Sequence, residues 1–432
     1  MDVSPLFKIL LVFATMLVLI RAKLPMGIAM VLGGIALGLW AGRGWAVTMG
    51  DMGYALRQPE LWLLAVIMAL IFEYGRYMAD ARNAQVIMNA ARAWGGRHGR
   101  MAGLMAIPAV IGLIPMPGGA MFSAPLVNQV AHGETFDNGW KSAVNYWFRH
   151  VWEYWWPVYP VVIVTLSIFD MELGWFILMQ LPLSAAALVG GYFILIRPHR
   201  AQLALPGAGD EVESNVKGQR IFWPLWGVII ATLALPPVMA WLWPDLTLSV
   251  RRLLAMLLGL AVGLIWILRD SGPEAHGQFL RHLMAPKALS LIATVAGVMI
   301  FKDMLDRSSL LPLAGEQLIA SGIPLILVVV ALPFLAGLVT GIAIGFAGIA
   351  FPLLAGLAAA TETGLAPAST LVLGFAFGYA GMMCSPIHLC FILSRGYFSA
   401  PLKVMYRYII TCSLFPLSTA VFVYVLMRLA GR

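Results

Sequence analysis

Apolar segments of roughly 16 to 28 residues recur along the whole sequence, and this recurrence limits the possible folds more than any single motif. A helix needs about 20 apolar residues to cross the hydrocarbon core of a bilayer, whereas a barrel strand needs only about ten. Hydrophobic residues make up 61% of the sequence and charged residues 11%, which leaves too little polar surface for a soluble protein. The sequence therefore predicts an all-α polytopic membrane protein.

Ten segments are predicted to be transmembrane helices. They cover residues 5–20, 24–41, 60–77, 143–169, 174–196, 221–243, 253–269, 288–305, 368–394 and 404–428. Two further apolar regions, 101–131 and 323–360, remain. One crossing needs about 20 residues and two crossings with a turn need more than about 40, so we predict that 101–131 is a re-entrant hairpin of two half-length helices. Region 323–360 is predicted to be the second hairpin.

The predicted tips of these hairpins are rich in residues that interrupt helices. The first tip reads PMPGG at 115–119, where proline and glycine stop helical hydrogen bonding. The second tip is placed around Thr340–Gly348. There Gly337, Gly341 and Gly345 recur every four residues, which also fits a close helix-packing face. The two interpretations of these glycines are compatible.

The distribution of positive charge favours a re-entrant first hairpin. In that topology one side of the membrane collects 18 of the 28 Lys and Arg residues. The positive-inside rule makes this the cytoplasmic side, so both termini are predicted to be extracytoplasmic and the protein to lie in the inner (cytoplasmic) membrane. The Lys and Arg residues lie in short loops beside the apolar segments, and this position explains the net charge of +8. No nucleic-acid partner is therefore predicted.

The two halves of the sequence echo each other at an offset of roughly 225 to 229 residues. We predict an N-terminal repeat at 1–196, a cytoplasmic linker at 197–220 and a C-terminal repeat at 221–432. Each repeat has three helices, a hairpin and two helices. An odd number of crossings makes the repeats inverted relative to each other, an arrangement typical of secondary transporters.

The segment 143–169 contains charged residues in its predicted membrane interior. Asn145, Arg149 and Glu153 are spaced to share one helix face, with His150 beside them and Pro157 interrupting the helix. A charge at the bilayer centre costs about 2.5 to 3.5 kcal/mol even on insertion scales, so these groups must face protein or water. They form either a structural salt bridge or a site in which Arg149 binds an anion and Glu153 or His150 takes the coupling ion.

The second half has a counterpart at 368–394, where Ser385 and His388 flank Pro386. The predicted solute-binding residues are Pro117, Gly118, Gly119, Ser123, Asn145, Arg149, Thr340, Gly341, Ser385 and His388. The predicted coupling-ion residues are Glu153 and His150. Ser385 and His388 have no acidic partner or oxyanion motif nearby in sequence, so catalysis is not predicted. The three cysteines lie in apolar segments without metal-ligand spacing, and neither a metal site nor a cofactor is predicted.

Three stretches carry a family resemblance across nearly the whole chain. LIPMPGGAMFSAPLV at 113–127, GIAFPLL at 348–354 and CSPIHLCFILSRGYF at 384–398 resemble the domain of unknown function 401 family. That family is grouped with the ion transporter superfamily. The resemblance implies a fold similar to divalent anion:sodium symporters, in which two hairpins meet two unwound helices and a transport domain moves as an elevator. Relatives of this kind are often dimers, so a homodimer is an expected partner state.

The sequence thus favours a secondary active transporter of a small anionic solute, coupled to H+ or Na+, with membrane lipid as its surroundings. A cation/proton antiporter that uses Glu153 is the alternative within transport. An intramembrane enzyme or an accessory subunit that holds lipid or partner helices is the alternative from another class.

Overall fold

A computed structural model gives the fold of the chain. It describes residues 3–80, 83, 85–87, 89, 99–115, 118–131, 136–203, 223–271, 279, 281, 285–360 and 363–431. Within these ranges every regular element is a helix, which confirms the all-α prediction. Pro117 of the predicted solute site lies outside the described residues, as does the predicted linker from residue 204 onward.

The helices follow the predicted apolar segments. In chain order, the first half contains α1 (Pro5–Arg21), α2 (Met26–Trp40), α3 (Gly44–Ala55), α4 (Pro59–Ala79), α5 (Gly99–Gly112), α6 (Ala120–Val130), α7 (Asn138–Arg149), α8 (Pro160–Ile168) and α9 (Leu173–Gly191). Helical turns continue α9 to residue 203. The second half contains α10 (Trp223–Leu242), α11 (Leu248–Ser271), α12 (Pro286–Arg307), α13 (Leu310–Ala320), α14 (Leu325–Thr340), α15 (Ala343–Ala359), α16 (Pro367–Met383), α17 (Leu389–Phe398) and α18 (Leu402–Leu429).

Proline occupies two kinds of position in these helices. It stands at the start of α1, α4, α8, α12 and α16, where its fixed φ suits the helix and its missing N–H would have no helical partner. It also lies inside each of the four hairpin helices, at Pro108, Pro125, Pro333 and Pro352. Membrane helices tolerate internal prolines because neighbouring groups satisfy the freed carbonyls.

Five helices in the described part of the chain are long and apolar enough to cross a bilayer. They are Pro59–Met78, Leu173–Leu203, Leu248–Arg269, Ala288–Arg307 and Leu402–Leu429. Shorter apolar helices include the first helix of the first hairpin, both helices of the second hairpin and several of the other predicted spans. The chain is therefore a multi-pass membrane protein.

Two helices, α3 and α13, were not predicted from the sequence. The short α3 carries a buried acidic residue, Asp51, which hides it from a hydropathy-based reading. The Asp51 carboxylate pairs with Arg43 at 2.9 Å and with Arg307 at 3.7 Å, so α3 is fastened to the C-terminal end of α12. α13 has 11 residues, about half of what a crossing needs.

Both predicted hairpins consist of two helices that pack against each other. The first consists of α5 and α6, and the second joins α14 to α15 through Gly341 and Ile342. Both interpretations of the glycine series hold. Gly337 packs so closely on α16 that a Cβ there would strike the carbonyl of Gly378, while Gly341 forms the turn with a φ of +66°.

Corresponding helices of the two halves begin at a constant sequence offset, and helices of one half pack on helices of the other. α7 and α16, α8 and α17, and α9 and α18 each begin 229 residues apart, at 138 and 367, 160 and 389, and 173 and 402. The second predicted span of each half packs on the third predicted span of the other, since α2 contacts α12 and α4 contacts α11. Likewise α6 contacts α17, and α15 contacts α8. The centre of the molecule is therefore built by both halves.

Candidate functional site

Two predicted spans are divided near their middle. We call α7 and α8, with residues 150–159 between them, the first broken span. The second broken span is α16 and α17, with residues 384–388 between them. The first break begins at His150, earlier than Pro157 where the sequence suggested it. Ser184 Oγ donates to the Val151 carbonyl at 2.6 Å, so a side chain from α9 satisfies backbone that the helix has released.

The earlier break corrects the predicted face of Asn145, Arg149 and Glu153. Because α7 ends at Arg149, only Asn145 and Arg149 share a helix, and Glu153 approaches from a turn. Arg149 and Glu153 still form a buried ion pair, with 3.5 Å between Nη1 and Oε1. The same Oε1 lies 3.8 Å from Nε2 of His150. All three predicted ionisable residues of this span therefore meet inside the protein.

Aromatic side chains of the first break donate hydrogen bonds to backbone carbonyls of the first hairpin. Trp152 Nε1 donates to the Ala109 carbonyl and Trp156 Nε1 to the Leu113 carbonyl, both at 2.9 Å. Tyr159 Oη donates to the Gly112 carbonyl at 2.5 Å. A helix end leaves its last carbonyls without helical partners, and these three side chains supply partners at the end of α5. Two tryptophans of this span therefore cap the end of α5.

The tip of the first hairpin lies against Arg149. Gly118 has a φ of +75°, which favours glycine. At Gly119 an added Cβ would lie 2.6 Å from Nε and 2.9 Å from Cζ of Arg149, so a side chain there would occupy the space of the guanidinium. A neighbouring predicted ligand, Ser123, is placed differently. The Ser123 hydroxyl is buried and bonds to its own helix at the Ala120 carbonyl, 3.4 Å away.

Asn145 connects the first hairpin to the second broken span. Its Nδ2 donates to the Ala120 carbonyl at 3.0 Å and to Ser394 Oγ at 2.7 Å. Ser394 in turn donates to the Ser142 carbonyl at 3.2 Å. These bonds fix the amide group between α6 and α17. Asn145 therefore positions the tip of the first hairpin relative to the second broken span.

The tip of the second hairpin lies against the second break in the same manner. His388 Nδ1 is 2.7 Å from the carbonyl of Gly341, and Ser385 Oγ donates to the Leu338 carbonyl at 2.7 Å. Thr340 Oγ1 donates to Ala336 within its own helix at 2.7 Å. Because the Ser385 hydroxyl is directed at a carbonyl, it is not arranged as a nucleophile activated by His388.

The two breaks meet each other at the centre through a reciprocal pair of tyrosines. Tyr146 Oη, on α7, donates to the Met383 carbonyl at 3.1 Å, and Tyr379 Oη, on α16, donates to the His150 carbonyl at 2.7 Å. Each broken span thus satisfies a carbonyl at the end of the other. Between them, Nε2 of His150 lies 3.2 Å from Nε2 of His388.

The structure brings most of the predicted residues together. Gly119, Arg149, His150, Glu153, Gly341, Ser385 and His388 surround the meeting point of both hairpin tips and both breaks. We call Arg149, His150, Glu153, His388 and Cys390 the central cluster. The sequence predicts no ligand role for Cys390. Its sulfur lies within 4.8 Å of ring nitrogens of both histidines. Nothing in the spacing of the sequence links Cys390 to a histidine 240 positions earlier.

The sequence matches one family model over most of its length. The family is described as "Protein of unknown function (DUF401)" and matches residues 4–216 and 232–427. No curated protein matches the sequence. Among solved structures, the YdaH transporter of Alcanivorax borkumensis, reported to have an unusual topology, is similar to this chain. The two share 14% sequence identity over 88% of this chain and 87% of that chain, with a TM-score of 0.48.

Proposed function

We propose that this chain, which belongs to the DUF401 family of proteins of unknown function, is a secondary transporter of a small anionic solute. The observation that carries the proposal is the convergence of two hairpin tips and two helix breaks on one buried cluster of ionisable side chains. Irregular backbone at membrane depth is tolerated only where protein or a water-filled cavity satisfies it. Four such interruptions around one point therefore favour the presence of a solute site there.

The relation between the two halves supports alternating access as the mechanism. Corresponding helices begin 229 residues apart, and the halves exchange contacts across the centre. We take the halves to be inverted repeats, each of which supplies one hairpin and one broken span. Such repeats can expose a central site to either side of the membrane in turn. If the hairpins and broken spans move together as one body relative to the other helices, the mechanism is of the elevator type.

Arg149 is the proposed anion ligand. Its side chain is only 2% exposed, and its guanidinium lies against Gly119 at the N-terminus of α6. Helix N-termini favour anions, so two sources of positive potential coincide at this point. The 3.5 Å separation from Glu153 exceeds the usual 2.7–2.9 Å of a strong charge-assisted bond. A solute carboxylate or comparable anion can therefore compete with Glu153 for the guanidinium.

This competition gives a mechanism for coupling. When a solute anion takes Arg149, Glu153 is left as a buried carboxylate without its partner, which is energetically unfavourable. Binding of H+ or Na+ by Glu153, beside His150, would restore neutrality. Solute and cation would then enter the site together, and neither would be bound favourably alone. The scheme predicts symport of the solute with H+ or Na+.

Reconstitution into proteoliposomes tests the proposal. Uptake of a panel of small anions is measured with imposed H+ or Na+ gradients, for the wild type and for Arg149→Gln and Glu153→Gln. We expect Arg149→Gln to abolish uptake and Glu153→Gln to leave uptake that no longer responds to the gradient. Arg395→Gln, at an exposed arginine of α17, is the matched control and should behave as the wild type. Uptake that survives Arg149→Gln unchanged would contradict the anion role.

A cation/proton antiporter is the second candidate, favoured by the position of Glu153 beside His150. In that case alkali cations added outside would dissipate a pre-formed pH gradient without any anion. The two functions therefore separate in the same vesicles, and Glu153→Gln would abolish antiport outright.

A further inference from the structure

His150, His388 and Cys390 form a buried group that the transport proposal does not fully use. Among the residues that the structure describes, these three are the one set whose metal-binding atoms all lie within 4.8 Å of one another. His150 comes from the first break, while His388 and Cys390 come from the second break and the start of α17. We propose that these three side chains are ligands of a thiophilic transition-metal ion.

The hydrogen bonds of the histidine rings fix where their lone pairs point. His150 Nδ1 is 2.6 Å from the Tyr146 carbonyl, and His388 Nδ1 is 2.7 Å from the Gly341 carbonyl. A carbonyl can only accept, so each Nδ1 carries the hydrogen and each neutral ring has its lone pair on Nε2. Histidines that bind metals are oriented in this way, with the other ring nitrogen donating to a carbonyl or carboxylate.

The two lone pairs face each other, which requires an acceptor of electron pairs between them. The Nε2 atoms are 3.2 Å apart and cannot hydrogen-bond to each other in these tautomers. Two nitrogen ligands at about 2.0–2.1 Å from a tetrahedral zinc ion lie about 3.3 Å apart. The observed separation is therefore already that of a metal site. A proton shared between the rings would also relieve the repulsion but would make no use of the Cys390 sulfur.

The charges of the cluster narrow the class of ion. Cysteine binds metals as thiolate, and thiolate with imidazole suits Cu+ and Zn2+. Because Arg149 and Glu153 already neutralise each other, Cu+ with the Cys390 thiolate and two neutral imidazoles leaves the cluster without net charge. Zn2+ carries one more positive charge than Cu+. Glu153 Oε1 lies 3.8 Å from His150 Nε2, close enough to become a fourth ligand of Zn2+ after a small shift, but Glu153 would then no longer neutralise Arg149 and the cluster would keep one positive charge. By charge, the site therefore favours Cu+ over Zn2+.

This inference does not depend on the transport proposal. The ligands come from both halves of the chain, so a bound ion would tie the two broken spans together at their breaks. Binding is measured on purified protein in detergent, without any flux. Failure of the metal site would leave anion transport through Arg149 untouched, and failure of transport would leave the metal site untouched.

The test is a Co2+ titration of the full chain, purified under reducing, anaerobic conditions with an affinity tag that contains no histidine. We expect one Co2+ per chain, a visible spectrum of tetrahedral cobalt and a thiolate-to-cobalt charge-transfer band, all removed by added Zn2+. Cys390→Ser should lose the charge-transfer band. Cys412→Ser removes another buried thiol of the chain and should keep the full spectrum. Cu+ affinity, measured by competition with a chromophoric chelator, should fall at least tenfold in Cys390→Ser.

Two results would overturn the site. One is the absence of saturable binding of Co2+, Zn2+ and Cu+ by folded protein, which is the outcome if a shared proton occupies the histidine pair. The other is a Co2+ spectrum that is identical in Cys390→Ser and the wild type. If Cys390→Ser does not fold, as judged by size-exclusion chromatography, His388→Asn tests the same site, and it should keep the charge-transfer band while losing tetrahedral geometry. Glu153→Gln should weaken Zn2+ binding more than Cu+ binding, because only Zn2+ uses Glu153 as a ligand, and the reverse pattern would contradict this assignment.

Discussion

Alanine at Gly119 should disable the proposed anion site while leaving the fold intact. The new Cβ would lie 2.6 Å from Nε of Arg149, whereas ordinary carbon–nitrogen contacts are about 1 Å longer. The atoms in the way belong to the end of a flexible side chain, so the guanidinium rather than the backbone moves. A displacement of about 1 Å from a productive geometry can cost about 100-fold in rate. We expect a loss of that order in anion uptake, with a thermal midpoint close to that of the wild type.

Two other glycines provide the comparison that makes this prediction specific. A Cβ at Gly112 would strike the backbone carbonyl of Arg149, which cannot move aside, so Gly112→Ala should lower the thermal midpoint and the yield of folded protein. A Cβ at Gly50 meets nothing within 4 Å, and Gly50→Ala on α3 should be neutral or slightly stabilising.

The assays are dye-reported thermal unfolding in detergent and uptake in proteoliposomes at equal reconstituted protein. A double variant, Gly119→Ala with Arg149→Lys, adds a coupling test. If both changes act on the same contact, the loss in the double variant will be smaller than the product of the single losses. Uptake by Gly119→Ala equal to that of the wild type would refute the placement of the guanidinium at the hairpin tip. A large fall in the thermal midpoint of Gly119→Ala would refute the claim that only the Arg149 side chain moves.

Three further substitutions test the packing around the site by thermal unfolding. Trp156→Phe removes the donor to the Leu113 carbonyl and should destabilise the protein by about 1–3 kcal/mol, the cost of an unsatisfied buried group; no change in midpoint would mean that the indole does not cap the hairpin. Tyr379→Phe removes the donor to the His150 carbonyl and should destabilise the protein by a similar amount. An unchanged thermal midpoint would argue that the tyrosine pair does not hold the two breaks together. Gly337→Ala forces the second hairpin away from the backbone of α16 and should reduce the yield of folded protein, whereas normal expression and midpoint would contradict the close packing.

The sequence predicted the apolar helices and their interruptions because hydrophobic length and helix-breaking residues act locally. The two apolar regions with the wrong length for a crossing are helix pairs, and the spans interrupted by Pro157 and Pro386 are divided. The short α3 was missed because a surface helix of a membrane protein has no apolar run to reveal it. Asp51, which anchors α3, reads in the sequence as an ordinary loop acid.

The central cluster was predicted only in part, because its geometry depends on contacts between the halves. Arg149 and Glu153 were identifiable as charges within an apolar run. Tyr379 and Cys390 both contact His150, which lies more than 200 positions earlier in the sequence. Residue spacing within a motif cannot predict such contacts. The start of the first break was also misplaced. Proline marks where a helix cannot continue, but distant side chains donate hydrogen bonds to the released carbonyls, and these donors determine where the helix actually ends.

The reciprocal tyrosines have a consequence for how the chain is made. The His150 carbonyl is matched by the hydroxyl of Tyr379, which the ribosome adds 229 residues later, and the Met383 carbonyl finds its donor in the half already synthesised. These two hydrogen bonds between the broken spans cannot form until the second half has been synthesised. The centre of the protein can therefore be completed only after both halves of the chain exist.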